Sequence, residues 1–181
     1  MKNMIRQIIF IILSFSIIFC DQTIKIVVNG IGILSIFNSK YVNYPDEILI
    51  NGTFFNESNI TYIETNENYT NIILKWNDNI NSFKNLFYNC TNITEVDISN
   101  FYSSKIITTE KMFYNCISLL SLNLNNFSLP NLNNTRQMFY SCSSLISLDL
   151  SAFKNSQIVR MDYMFDGCSS IKSLDLSNII S

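Results

Sequence analysis

The residues best suited to chemistry in this chain are four cysteines at one constant interval. Cys90, Cys116, Cys142 and Cys168 each follow the last by 26 residues. A thiol can serve as nucleophile, metal ligand or disulfide partner, and each role needs companions. The sequence contains no histidine, which removes the usual general base, the commonest metal ligand and the Ser–His and Cys–His nucleophile pairs. No Cys-x-x-Cys pair is present, so no sequence-local zinc site and no bound metal are expected. The segment "NGIGIL" lacks the third glycine and the spacing of a nucleotide-binding loop. No isolated pair of carboxylates stands ready for acid–base work, so neither an enzymatic activity nor a cofactor is expected. Two fates are open to the thiols. Units stacked about 4.8 Å apart allow Cys90–Cys116 and Cys142–Cys168 bridges. Equivalent side chains in register point in parallel, however, which favours free thiols packed as small apolar residues.

A fixed interval of this size is the mark of one small unit repeated and stacked. Aligned on cysteine, seven apolar columns agree. They run from Leu86, Met112, Met138 and Met164, through Phe87, Phe113, Phe139 and Phe165, to Ile93, Leu119, Leu145 and Ile171. Val96, Leu122, Leu148 and Leu174 follow, then Ile98, Leu124, Leu150 and Leu176, then Phe101, Phe127, Phe153 and Ile179. Ile106, Leu132 and Ile158 complete the set, with Ile80 in the same slot. The core reads LxxLxL, as in "LLSLNL" and "LISLDL". Its last two apolar residues alternate with polar ones, which predicts a short strand with one buried face. The stretch ahead of each cysteine, such as "RQMFYSC", carries Met and Phe at a spacing that predicts a short helix. The expected fold class is therefore α/β. It is a right-handed leucine-rich-repeat solenoid with short parallel strands on the concave face, short helices on the convex side and a β-rich N-terminal cap.

The segments "MFYNCISLLSLNLNNF", "MFYSCSSLISLDLSAF" and "MFDGCSSIKSLDLSN" resemble the BspA-like leucine-rich-repeat surface proteins. "YPDEILINGT" and "IILKWNDNINSFKNLFYNC" extend the resemblance upstream, so it covers the chain from Tyr44 onward. It implies a secreted or surface-displayed protein used in adhesion or recognition, with no established reaction. One departure is that Phe101, Phe127 and Phe153 stand where the general pattern holds Asn or Cys. A stacked phenylalanine spine is expected in place of an asparagine ladder.

Residues 1–20 read as a signal peptide: Lys2 and Arg6, an apolar run from Ile8 to Phe19, and a cleavage point after Cys20. An uncleaved anchor is the other reading. Without Lys2 and Arg6, ten basic residues face fourteen acidic ones, a net charge of −4. That balance excludes a nucleic-acid partner and electrostatic docking on an anionic membrane. Among Asn-x-Ser/Thr sites, Asn51, Asn56, Asn59, Asn68, Asn126 and Asn133 are candidates for glycosylation; Asn89 and Asn92 flank Cys90 and suit it least.

Residues 21–71 form the expected β-rich cap, with a hairpin around Asn29–Gly30 and a strand and turn at "EILING". Residues 72–181 are the expected repeat array: a degenerate first coil from Ile72 to Trp76, three full units and one partial unit ending at Ser181. Trp76 is placed to close the cap on the array. The ending fits a fragment, a short natural terminus or an edge that pairs with another copy. The polar residues of the strands are the candidate binding face. Glu95, Ser121 and Ser147 form one column, Asp97, Asn123, Asp149 and Asp175 another, and Ser99, Asn125 and Ser151 a third. A merely solvated strand face is the plainer reading of the same pattern. Tyr88, Tyr114 and Tyr140 are read as core. The expected function is binding of a protein or glycan on another cell or matrix, from a secreted or cell-surface position and without membrane insertion after cleavage. The alternative is a structural coat component that self-associates edge to edge.

Overall fold

The computed structural model describes residues 22–38, 43–55, 60–77, 80–101 and 103–179. The leader expected over residues 1–20 and the candidates Asn56 and Asn59 lie outside them.

The N-terminal part is antiparallel sheet. Strand β1 (Gln22–Asn29) is rich in β-branched residues that alternate, so Ile24, Ile26 and Val28 turn inward and are fully buried. Strand β2 (Gly32–Ser35) follows after a tight turn. Strands β3 (Glu47–Ile50) and β4 (Thr53–Phe55) form a two-residue hairpin. Its corner is Asn51–Gly52, with φ of 48° and 80°, the double positive φ that makes Asn-Gly the favoured pair for such turns. Strand β5 (Tyr62–Thr65) precedes β6 (Tyr69–Trp76), whose Thr70, Ile72, Leu74 and Trp76 alternate inward. β6 pairs with β1 over its full length, from Gln22–Trp76 to Asn29–Tyr69.

One expectation fails here. β1 and β2 do not form a hairpin. β1 has β6 on one edge and, on the other, β7 (Ile93–Asp97), so no edge remains for β2. β2 pairs instead with β5 in a separate two-stranded sheet. β6 also runs through the expected boundary at residue 72, so Ile72–Trp76 belongs to the cap sheet.

β1 joins the cap to the repeats. It lies antiparallel to β7, the strand of the first repeat, with a bulge between Val27 and Val28. β7 is followed in parallel by β8 (Ser121–Asn123) of the second repeat. One mixed sheet of six strands results, in the order β4-β3-β6-β1-β7-β8.

The repeats stack as rungs beginning at residues 80, 106, 132 and 158. Single parallel bridges tie Ser82 to Thr108, Thr108 to Asn134 and Asn134 to Arg160. The segment ahead of each cysteine is not a helix. Among the described residues there is no α-helix, only one 3-10 turn at Ser151–Phe153. The α/β leucine-rich-repeat solenoid is thereby overturned: the described chain is nearly all β and turn, a six-stranded mixed sheet and a small second sheet.

The physical reason lies in the hydrogen bonds. Amides of Phe83, Asn85, Phe87 and Asn89 reach across to carbonyls of Thr108, Glu110, Met112 and Tyr114 in the next rung. Those of Leu86, Tyr88 and Cys90 close local turns onto the residue three back. A helix needs every amide to bond within its own segment, and here half of them bond between rungs. This alternation requires left-handed backbone twice per rung. Positive φ recurs at Asn85, Lys111, Gln137 and Tyr163, and four residues later at Asn89, Asn115, Ser141 and Gly167. The second column holds Asn, Asn, Ser and Gly, mostly types that tolerate this region at low cost. Gly167 is also crowded: a Cβ there would lie 3.0 Å from Ser141 Oγ and 3.1 Å from Ser141 Cα.

The core is a set of side-chain columns. Phe87, Phe113, Phe139 and Phe165 stack with ring centroids 5.5, 5.6 and 5.7 Å apart and ring planes 21°, 5° and 8° from parallel. Each such pair adds about 0.5–1.5 kcal/mol beyond burial of its area. The stacked spine expected at Phe101 and Phe127 is instead an edge-on contact at 6.3 Å and 71°. Trp76 does meet the array, edge-on to Phe83 and Phe101, with its indole N–H donated to the Asn43 carbonyl at 2.7 Å.

Candidate functional site

The cysteines are structural. Cys90, Cys116 and Cys142 are fully buried and all four described thiols are free. Each thiol after the first donates to the carbonyl of the phenylalanine one rung back: Cys116 to Phe87 at 3.1 Å, Cys142 to Phe113 at 3.1 Å, Cys168 to Phe139 at 3.0 Å. Burial pushes the thiols of Cys90, Cys116 and Cys142 far above their ordinary range, and half-buried Cys168 up to about 11. A protonated, enclosed thiol is a poor nucleophile and a poor ligand. Among the described residues no group of His, Cys, Asp or Glu is gathered to hold a metal ion.

The candidate binding column divides in two. Asp97, Asn123, Asp149 and Asp175 each accept, through Oδ1, the amide two residues on: Ser99 at 2.9 Å, Asn125 at 3.1 Å, Ser151 at 2.8 Å and Ser177 at 2.9 Å. These are Asx turns, the device by which short polar side chains end a strand. Asn123 also donates to Asp97 Oδ1 at 3.2 Å across the rungs. The exposed Asp175 carboxyl is held below its usual value by the Ser177 amide and hydroxyl. This column therefore shapes the turns as well as facing solvent. Glu95, Ser121 and Ser147 are exposed beside it, as are Asn125 and Ser151, with Ser99 half-buried.

Two residues outside the expected set are exposed next to these columns. Leu120 is 47% exposed and Ile146 58% exposed, each next to a serine of the outer column. The same slot holds Thr94 in the first rung, buried against β1 with its hydroxyl donated to the Val27 carbonyl, and Lys172 in the fourth. Their signal was in the alignment: an apolar residue in a slot that other copies fill with a polar one. Tyr88, Tyr114 and Tyr140 are only half-buried, and their rings stack at 4.7 Å within 8° of parallel. Their faces cover one another, leaving the ring edges outward.

A charged column lies on another side of the rungs. Lys84 Nζ meets Glu110 Oε2 at 3.1 Å, and Asn134 donates to the same oxygen at 3.2 Å. Burial opposes the charge of Glu110, but Lys84 and Asn134 outweigh it and hold the carboxyl below its usual value. Of the glycosylation candidates, Asn51, Asn68, Asn126 and Asn133 are all exposed. Asn51 is engaged in its turn, accepting the Asn71 amide at 2.9 Å and donating to Glu67 at 2.9 Å.

These features describe a β-rich repeat protein with extended outer surfaces and buried, inert thiols. Residues 50–179 match the family described as "Mycoplasma protein of unknown function, DUF285", and the chain belongs to that family. The resemblance to BspA-like leucine-rich-repeat proteins is corrected by this match, as the leucine-rich fold is by the structure. The family description carries no leader peptide and no glycan. None of the curated proteins and none of the solved structures matches the chain.

Proposed function

We propose that the protein acts by binding, at the cell exterior, and that it recognises a protein surface through the outer strand-side row of the second and third rungs. The observation that carries this reading is the exposure of Leu120 and Ile146 beside Ser121 and Ser147. Exposed apolar side chains at equivalent positions of neighbouring rungs, rimmed by polar residues, are the kind of patch that marks a protein-interaction site. Glu95, Asn123, Asp149 and Asp175 supply its polar surround. Support for binding over catalysis comes from the absence of histidine and from thiols locked in the protonated form. Support for an exterior position comes from the leader-like residues 1–20. Among the described residues no helix is long and apolar enough to cross a membrane.

The test uses labelled protein on intact cells, before and after surface proteolysis or deglycosylation. The Leu120→Asp/Ile146→Asp variant should lose binding at unchanged melting temperature, and surface proteolysis of the cells should abolish binding of the unmodified protein. Equal binding by the variant would remove the patch. Loss on deglycosylation alone would assign the partner to glycans.

A further inference from the structure

The tyrosine ladder takes no part in the strand-side patch. Tyr88, Tyr114 and Tyr140 fill one slot in three successive rungs, 26 residues apart. Their ring centroids lie 4.7 Å apart, with planes 8° and 5° from parallel. Among the described residues no other ring pair is as close: Phe83 and Phe101 meet edge-on at 4.8 Å, and the phenylalanine column runs at 5.5–5.7 Å. The backbone fixes this spacing. On either side of Tyr88, the amides of Phe87 and Asn89 donate to the Met112 and Tyr114 carbonyls at 2.9 and 2.8 Å. On either side of Tyr114, those of Phe113 and Asn115 donate to Met138 and Tyr140 at 2.9 and 2.7 Å. Each ring is held over the next by two bonds between rungs. The ladder sits inside the stack, between the cap, whose Asn38 donates to the Tyr88 carbonyl, and the fourth rung.

The half-buried rings turn their edges outward. That edge carries the phenol oxygen and the ortho carbons. None of the three hydroxyls has a hydrogen-bond partner among the described residues. A phenol, a thiol and an indole are the side chains most readily oxidised by one electron, and here the other two kinds are enclosed: Cys90, Cys116, Cys142 and Trp76 are buried. A tyrosyl radical carries unpaired spin on its ortho carbons. Because the rings repeat in register, equivalent ortho carbons of neighbours face each other across the stacking gap. Rotation of the two side chains about χ1 and χ2 closes that gap.

We propose that this ladder is an oxidative cross-linking site, where Tyr114 forms a dityrosine with Tyr88 or Tyr140 when a haem peroxidase and hydrogen peroxide act on the protein. Each of the two phenols gives up one electron and one proton. The two radicals join through a carbon–carbon bond between ortho carbons. Each joined carbon then sheds its hydrogen as a proton and each ring oxygen takes one up, which restores both aromatic rings. Hydrogen peroxide receives the two electrons and two protons and leaves as two waters, so the chain loses two hydrogens in all. Tyr114 is common to both possible pairs. The bond closes a loop of 26 residues between adjacent rungs. It fastens the stack covalently where the free thiols, each after the first donated to a carbonyl, do not. Closing a loop restricts the unfolded chain whatever the chemistry of the bridge. The inference rests on the ladder alone, and neither the strand-side patch nor the location of the protein enters it.

The test treats the full chain, in dilute solution, with a haem peroxidase and hydrogen peroxide. Dityrosine fluorescence is expected in the monomer band of a denaturing gel, at a yield independent of chain concentration. Peptide mapping should join the segment holding Tyr114 to that holding Tyr88 or Tyr140, two hydrogens lighter than their sum. Tyr114→Phe keeps a ring in the stack and should lower the monomer yield at least tenfold. Tyr62→Phe and Tyr69→Phe, at more exposed positions, should leave it unchanged. The cross-linked monomer should melt about 5–10 °C above the untreated chain. The peptide map and a urea-unfolded control use the unmodified chain, so they decide the matter even where a variant folds poorly. Unfolding should lower the yield at least tenfold. Equal yield from the unfolded chain, coupling that survives Tyr114→Phe, or coupling only between separate chains would overturn the proposal, as would no coupling at all.

Discussion

Alkaline pH should unfold this protein well before its other groups explain the loss, and the buried thiols set the amount. In the unfolded chain a thiol ionises around its ordinary value of 9.0. In the folded chain, Cys90, Cys116 and Cys142 are held protonated far above that by burial. Folded values raised above unfolded ones mean that the thiols' contribution is fully present below pH 9 and declines above it, because the unfolded state then sheds protons that the folded state keeps. One unit above the unfolded value, each thiol costs about 1.4 kcal/mol. The three together cost about 4 kcal/mol at pH 10 on the same relation, against a total stability of about 5–15 kcal/mol for a typical domain. The assay is urea unfolding by circular dichroism at pH 7, 8, 9 and 10 under reducing conditions, with a Cys90→Ala/Cys116→Ala/Cys142→Ala variant alongside. The variant will be less stable at pH 7, because it loses three packed sulfurs. Its stability between pH 8 and 10 should nevertheless fall by about 4 kcal/mol less than that of the parent. Parallel pH profiles for the two proteins would refute the reasoning, since the thiols would then be ionising equally in both states.

Three further outcomes can be measured by denaturant or thermal unfolding. Phe113→Ala should cost about 3–5 kcal/mol, because its ring is buried and stacked on both sides; Phe165→Ala, stacked on one side and half-buried, should cost about half as much. Gly167→Ala should destabilise by about 1–3 kcal/mol through its positive φ and the Ser141 contact, whereas Gln137→Gly, at φ 54°, should be neutral or stabilising by up to about 1 kcal/mol. Asp97→Ala removes acceptors from Ser99 and Asn123 and should cost about 1–2 kcal/mol, while Glu95→Ala on the exposed column should stay within about 0.5 kcal/mol.

The period and the buried columns are legible because apolar side chains report burial directly, whatever backbone carries them. Phe87, Phe113 and Phe139 are in the core for the reason their register suggested. The backbone of the segment ahead of cysteine is not legible in its apolar residues, because Met112–Phe113 and Met138–Phe139 suit a helix turn and a left-handed turn equally well in hydrophobic pattern. The discriminating signal was polar: Asn89, Asn115, Ser141 and Gly167 in the slot before cysteine, a column suited to positive φ and poorly suited to a helix interior. The β1–β2 hairpin failed for a different reason. Local turn chemistry around Gly30 was sound, but β1 had two better partners, one of them from β7, more than sixty residues away in the chain. The strand-side aspartates were half legible. Alternation put them outward, and only the structure showed their carboxylates already spent on closing turns. Leu120 and Ile146 fall outside the conspicuous apolar columns, so the repeat pattern does not single them out.

The crosswise bonding of alternate amides has a consequence for how such a chain can lengthen or shorten over generations. Each rung is phased to its neighbour at Phe83, Asn85, Phe87 and Asn89 together, so a single inserted residue there would trade every inward group for an outward one. Duplication or loss of a whole repeat leaves the phase intact, because the copy arrives with its own donors, its own acceptors and its own aromatic ring. The architecture thus tolerates large genetic steps of one length and resists small ones of any other.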